Sequence, residues 1–214
     1  MSAGRFITLE GIEGAGKSTV AKFVVGWLGR YAVPVRLTRE PGGTPLAERV
    51  RQIVLERGTE PVSPVTETLL MFAARALHVQ NAIRPALARG EWVVCDRFTD
   101  ATRAYQGSGR AVDEPLIEAL AAAVHPDLTP HCTLLLDLPV SVGLARARAR
   151  TGAGADRFEA ETVGFFEKVR AGYLALARRE PQRIHVIDAS APLIEVERGV
   201  AEVLAQLQPE GVRP

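Results

Sequence analysis

The stretch EGIEGAGKST near the start of the chain brings a lysine and a serine to the end of a run of small residues. Gly11, Gly16, Lys17 and Ser18 fit the pattern G-x-x-x-x-G-K-[ST]. In such a loop successive backbone N–H groups surround nucleotide phosphates, the lysine meets the β- and γ-phosphates, and the hydroxyl serves Mg²⁺ directly or through water. The expected cradle is Gly11, Ile12, Glu13, Gly14, Ala15, Gly16, Lys17, Ser18 and Thr19. Two features sharpen this reading. Lys17 is one of only three lysines, the other 23 of the 26 basic residues being arginine, so a lysine at this position is less readily chance. Glu13 sits inside the loop, where a carboxylate should repel phosphate, so it must point at something else.

Other residues could act beside this loop. In VVCDRF, Asp96 and Arg97 end an apolar run. Asp96 is a candidate for the Mg²⁺ shell and Arg97 for a phosphate clamp, with a strand-end ion pair as the plainer reading. TREPGG sets Arg39 after another strand, beside glycines that let backbone approach a ligand or simply form a turn. Phe72 and Arg75, three apart on a helix, could hold a nucleobase, or be a core ring and a solvated head. RARARTGAGADRFEAE carries Arg146, Arg148, Arg150 and Arg157 around small residues, as a solvated helix end or a mobile lid over a phosphoryl-transfer site would.

The elements that must position these groups follow from apolar patterning. Short apolar runs at 5–10, 33–39, 91–96, 132–137 and 183–188 read as strands. Helical periodicity fills 17–30, 45–56, 63–89 with Pro85 as a break or restart, 113–124, 140–150, 158–178 and 193–207. Strands that are apolar throughout and alternate with helices imply one five-stranded parallel sheet covered on both faces. The fold expected is α/β in a single domain over residues 1–214, with its chemistry in the irregular stretches 39–44, 99–110 and 150–156.

Composition narrows the partners. A net charge of +1 announces no nucleic-acid surface, and 47% hydrophobic residues suit a soluble domain. No apolar run is long enough for a membrane span, and the N-terminus enters a strand without a signal-peptide pattern. Cys95 and Cys132 lie in apolar runs without metal spacing, as core thiols of a reducing cytoplasm would.

Taken in order, EGIEGAGKST, TREPGG, LLMFAAR, CDRFTDATRAYQG and DRFE resemble the bacterial thymidylate kinases, P-loop nucleoside monophosphate kinases, over nearly the whole chain. The resemblance implies the P-loop kinase fold, ATP with Mg²⁺ as donor, dTMP as acceptor, dTDP and ADP as products in dTTP synthesis, and a homodimer. It also implies residue roles. Arg39 and Arg97 hold the dTMP phosphate. Phe72 stacks on thymine, Arg75 and Thr102 bond its edge, and Gln106 lines its pocket. Tyr105 occupies the space of a 2′-hydroxyl, and Glu13 reaches the acceptor sugar's 3′-hydroxyl or a nearby water. This P-loop carries no arginine, so the lid, about residues 146–158, would supply it through Arg150 or Arg157, with Arg146 structural. The chain departs from the family in Phe98, where Tyr or His is frequent, and in Ala101, where Ser is. Arg103 has no expected role. The rivals are a kinase for another monophosphate, or a P-loop switch or ATPase. Against a GTPase switch, the chain lacks D-x-x-G and [NT]-K-x-D.

Overall fold

The computed structural model describes residues 4–56, 60–151, 157–158 and 161–207, with the side chains of residues 150 and 151 outside that description. The elements run β1 (Phe6–Glu10), α1 (Lys17–Gly29), β2 (Val35–Arg39), α2 (Pro45–Leu55), α3 (Pro64–His78) and, after a π-helical turn over Val79–Ile83, α4 (Arg84–Ala88). Then come β3 (Trp92–Asp96), α5 (Thr99–Thr102), a π-helical stretch over Arg103–Gly109, α6 (Glu114–Val124) and β4 (Cys132–Asp137). The chain closes with α7 (Val140–Thr151), α8 (Val163–Arg179), β5 (Ile184–Asp188) and α9 (Leu193–Gln206).

All strand pairs are parallel, in the order β2-β3-β1-β4-β5. Residues of β1, β3 and β4 are buried almost without exception, whereas β2 and β5, at the edges, are partly exposed. Since successive side chains point to opposite faces, continuous burial means that helices cover both sides. In an open parallel sheet the carboxyl edge faces the ligand crevice. Here β1 ends in the P-loop, β2 in Arg39 and β3 in Asp96, so that edge collects all three motifs.

Local chemistry starts the helices. Thr44 caps α2 by accepting the Ala47 N–H at 3.4 Å, and Pro45 fills the first turn. Ser63 caps α3 from Thr66 at 3.0 Å, and Thr162 caps α8 from Phe165 at 3.2 Å. At α1 the cap is Gly16, at φ 88°, with no side-chain bond to the helix. That N-terminus is left to whatever binds the loop.

Two stretches differ from expectation. Residues 99–109, nearly all of a stretch read as irregular, are helical: α5 runs on into the π-helical stretch. Packing decides this, because Ala104, Tyr105 and Gln106 are buried and Gly172 of α8 lies so close that a Cβ there would strike the Ser108 side chain. The helix expected from residue 158 begins at Val163, behind the Thr162 cap. At Pro85 the α-helix restarts, one of the two outcomes expected there: α4 begins at Arg84 behind the π-helical turn. The π-helical turn widens the backbone just before the proline, whose ring would otherwise meet the carbonyl of Asn81.

Candidate active site

The P-loop backbone is pressed against α7. A Cβ on Gly14 would run into the Gly143 carbonyl, and one on Gly143 would stand 2.7 Å from the Glu13 carbonyl oxygen. Only two glycines allow this approach. Lys17 curls back over the loop, its Nζ donating to the carbonyls of Gly11 at 3.0 Å and Ile12 at 2.9 Å. Burial, and next the nearby Arg97, bring its ammonium down from 10.5 to about 8, against the pull of Asp96, Glu13 and Glu10. A phosphate would add the missing negative charge and raise it again.

Arg97 is the hub of the site. Its backbone stands in the left-handed region at φ 71°, which costs a non-glycine residue on the order of 1–2 kcal/mol. The surroundings hold it there: its N–H donates to the Leu9 carbonyl at 2.9 Å, and the next N–H, of Phe98, donates to Glu10 at 2.8 Å. Its guanidinium donates to Glu13 at 2.9 Å, to the Gly11 carbonyl at 3.1 Å and to the hydroxyls of Tyr105 and Tyr173 at 3.0 and 3.2 Å. Tyr105 in turn donates to Glu13 at 2.7 Å. The carboxylate inside the P-loop therefore has a partner of its own, and its charge faces Arg97.

Beneath this hub lies Glu10, wholly buried at the end of β1, accepting from Phe98 N–H and from the Tyr173 hydroxyl at 2.7 Å. Burial first, then Asp100, push its carboxyl from 4.5 up to about 8, although Arg97 and both hydrogen bonds pull the other way. A carboxyl whose pKa is higher folded than unfolded stabilises the fold below the unfolded value. That contribution drains away as pH rises from about 4.5 toward about 8. Glu10→Gln keeps an acceptor for Phe98 and a partner for Tyr173 without a titrating proton. It should lose less stability than the wild type between about pH 5 and 8 in urea unfolding. Equal losses would place the pH dependence on another group.

A cavity of about 510 Å³ joins these groups. Glu13, Gly14, Gly16, Lys17, Ser18 and Thr19 line one part of it, and Arg39, Arg75, Asp96, Arg97, Thr102, Tyr105 and Gln106 another. Arg39 is exposed and pairs with Glu48 at 3.0 Å. Asp96 Oδ1 is buried without a hydrogen-bond partner, an arrangement costly enough to call for a ligand. Arg75 is buried, not a solvated head. Its Nε donates to Glu40 at 2.7 Å, and its Nη2 donates to the Phe98 carbonyl and the Thr102 hydroxyl, both at 3.1 Å. The Arg75 guanidinium lies 4.7 Å from the ring centre of Phe72, which is itself buried and does not line the cavity. Gln106 donates to the buried Glu67 at 2.7 Å.

The arginine-rich segment is only partly described. Arg146 donates to the Ala189 carbonyl at 2.8 Å, a packing role. The side chain of Arg150 and residues 152–156 lie outside the described residues. Arg157 is not brought to the P-loop. It pairs with Glu67 at 2.7 Å, donates to the Val54 carbonyl at 3.0 Å and does not line the cavity. Arg103 bridges Asp100 and Glu118, and Arg183 also grips Asp100, a network centred on the buried Asp100 that ties α5 to α6 and to the residue before β5.

Sequence reasoning missed Glu40, Met71, Phe98 and Phe158 as cavity residues. Glu40 stood in TREPGG, and an acidic residue beside two arginine motifs was the available signal. Nothing local marks Met71 or Phe158.

A family model described as thymidylate kinase matches residues 9–200. The thymidylate kinase of Alkalilimnicola ehrlichii is 54% identical over 205 residues, 96% of this chain and 94% of that one. That of Pseudomonas savastanoi pv. phaseolicola is 53% identical over 204 residues, 95% and 96% of the two chains. Among solved structures, thymidylate kinase from Ehrlichia chaffeensis superposes with a TM-score of 0.75 at 33% identity, covering 97% of this chain and 100% of that one.

Proposed function

Since this chain belongs to the thymidylate kinase family and so transfers the γ-phosphoryl group of ATP to dTMP, we propose that the cavity at the carboxyl edge of β1, β2 and β3 carries out that transfer, as one domain over residues 1–214. The observation that carries this reading is the convergence of the P-loop with Arg39, Asp96 and Arg97, from three strand ends, on a single cavity. ATP lies with its phosphates on residues 11–19, and Lys17 leaves the loop carbonyls for the β- and γ-phosphates. Arg39 and Arg97 hold the dTMP phosphate. Arg75 and Thr102 bond the thymine edge and Gln106 lines its pocket, while Phe72, buried behind the cavity wall, supports Arg75 in place of the expected stacking on the base. An acceptor phosphate is already anionic, so no general base is needed and positioning with charge neutralisation carries the rate.

A magnesium ion fits the residues present. Ser18 and Asp96 line the same cavity, and the unpartnered Asp96 oxygen is the acceptor such an ion would use. When bound with ATP it would neutralise phosphate oxygens. The P-loop side chains between Gly11 and Gly16 include no arginine, and we assign the transition-state charge to the lid at residues 146–158. Arg157 would have to leave Glu67 and the Val54 carbonyl to serve there, which favours Arg150. Exposed apolar side chains on α2 and α3, among them Ile53, Val65 and Leu69, support a homodimer. Two free buried cysteines support a cytoplasmic setting, and among the described residues no helix is long and apolar enough to cross a membrane.

Tyr105 tests the placement of the acceptor. Its ring lies in the cavity with its hydroxyl on Glu13 and Arg97, and a 2′-hydroxyl brought against that ring would lose its hydrogen bonds. Tyr105→Ala should narrow the preference for dTMP over its ribose counterpart by about tenfold, read as the ratio of kcat/KM values. An unchanged ratio would remove Tyr105 from sugar selection.

A further inference from the structure

Arg75 has one nitrogen to spare. Nε and Nη2 are taken by Glu40, Phe98 and Thr102, while Nη1 is buried with no partner. The guanidinium is also held between two rings, its carbon 4.7 Å from the centre of Phe72 and 5.2 Å from that of Phe98. A donor that cannot turn away accepts only a ligand atom that offers a lone pair at that point.

Behind Arg75 stands a chain of groups to which the mechanism assigns nothing. Glu40 uses one carboxylate oxygen for Arg75 at 2.7 Å and the other for His78 Nδ1 at 2.9 Å. His78 is wholly buried, and its Nε2 meets the Thr38 hydroxyl at 2.7 Å. Burial works against an ionised Glu40, but Arg75 and the His78 ring hold its carboxyl below the ordinary value. An ionised Glu40 accepts from Nδ1–H, and in the neutral ring Nε2 then accepts the Thr38 proton. Gly43 packs on the other side of the imidazole, where a Cβ would collide with ring atoms. Both ends of the relay thus belong to the segment that carries Arg39, since Thr38, Glu40 and Gly43 flank it.

We infer that Glu40 and His78 are positioning residues which fix the free nitrogen of Arg75 and thereby select a pyrimidine with a carbonyl at position 4 over one with an amino group there. Thymine offers a lone pair at that position. Cytosine offers N–H, and donor would face donor against a guanidinium fixed by Glu40 and the Phe98 carbonyl. Sites that hydrogen-bond a substrate group reject the analogue lacking it because buried polar groups are left unpaired. A loosely held arginine would swing aside and lose that selectivity. The inference rests on the reading of Arg75 as the contact to the base, and on that contact being to the 4-carbonyl, since the 2-carbonyl is common to thymine and cytosine.

The test compares kcat/KM for dTMP with that for dCMP, in the full-length protein with ATP. Arg75→Ala examines the underlying reading and should collapse the ratio. Glu40→Gln and His78→Phe should each lower the ratio by about tenfold or more. The loss should fall mainly in the dTMP KM, with kcat and the KM for ATP nearly kept. His78→Asn, whose amide can still donate to Glu40, should restore much of the selectivity. Thr38→Val acts from the far end of the relay without touching Arg75 or Glu40. It should give a severalfold fall, and it carries the test should Glu40→Gln fail to fold. A merely structural role would lower melting temperature and both kcat/KM values together, leaving the ratio intact, and that result would overturn the inference. If Arg75→Ala collapses the ratio while the Glu40, His78 and Thr38 variants keep it, only the inference falls. If Arg75→Ala also keeps it, the reading of Arg75 falls as well.

Discussion

The Lys17→Ala variant should turn over about two to four orders of magnitude more slowly than the wild type, as expected for loss of a major electrostatic contact to the transferring group. Among the described residues its ammonium hydrogen-bonds to two carbonyls of its own loop, Gly11 and Ile12. Removing it leaves the glycine-shaped backbone in place, so the melting temperature should barely move. Lys17→Arg should recover little, because a guanidinium fork does not fit where a compact ammonium is wedged between two carbonyls. The measurement is kcat from coupled ADP release, with circular dichroism to confirm the fold. Turnover within a factor of about ten of wild type would take the lysine out of phosphoryl transfer.

Arg97→Ala should combine two losses. Without the guanidinium, the Glu13 carboxylate, whose side chain is only 12% exposed, keeps just the Tyr105 hydroxyl, and Tyr173 loses one of its partners. Breaking a largely buried pair from one side costs about 3–5 kcal/mol, toward the low end here because water reaches part of the site. Activity should fall further than stability explains, by about 10³-fold in kcat/KM for dTMP, since the same group is assigned to the acceptor phosphate. The double variant Arg97→Ala with Glu13→Gln separates the two effects. It should regain stability in urea unfolding by removing the unpaired charge, and regain no activity. Should the single variant keep kcat/KM within about tenfold of wild type, the acceptor phosphate is held by Arg39 instead.

The scaffold is legible in local patterns of sequence. The glycine loop, the continuous apolar strands and the Thr44-Pro45 and Ser63-Pro64 helix starts are each written within a few consecutive residues, and each stands where expected. The contacts that give the cavity its character are of another kind. Arg75 meets Glu40 across 35 positions of sequence, and Gln106 meets Glu67 across 39. On a helix of amphipathic pattern a charged residue is ordinarily a solvated head, and only the fold reveals Arg75 and Glu67 as buried and paired. The helical state of residues 103–109 is hidden for a similar reason. Two glycines and a serine in RAYQGSG favour an irregular chain, and the close approach of α8 overrides that preference. Resemblance supplies an ordered set of roles, yet it does not contain the engagement of Arg157 with Glu67, which bears on which lid arginine serves the phosphates.

The two glycines at the contact between the P-loop and α7 also fasten the two together. Gly14 meets Gly143 backbone to backbone, with the Ile12 side chain packed beside the contact. The base of α7 is therefore pinned to the donor loop, while its middle is held to the body of the fold by the buried Leu144 and Ala147 and by Arg146 on the Ala189 carbonyl. From Gly143 to Arg150 a helix rises about 10 Å. About two turns of packed helix thus lie between the donor loop and that backbone position. A bulkier residue at position 143 would press on the Glu13 carbonyl and the Ile12 side chain, and so disturb the donor loop and the start of α7 together.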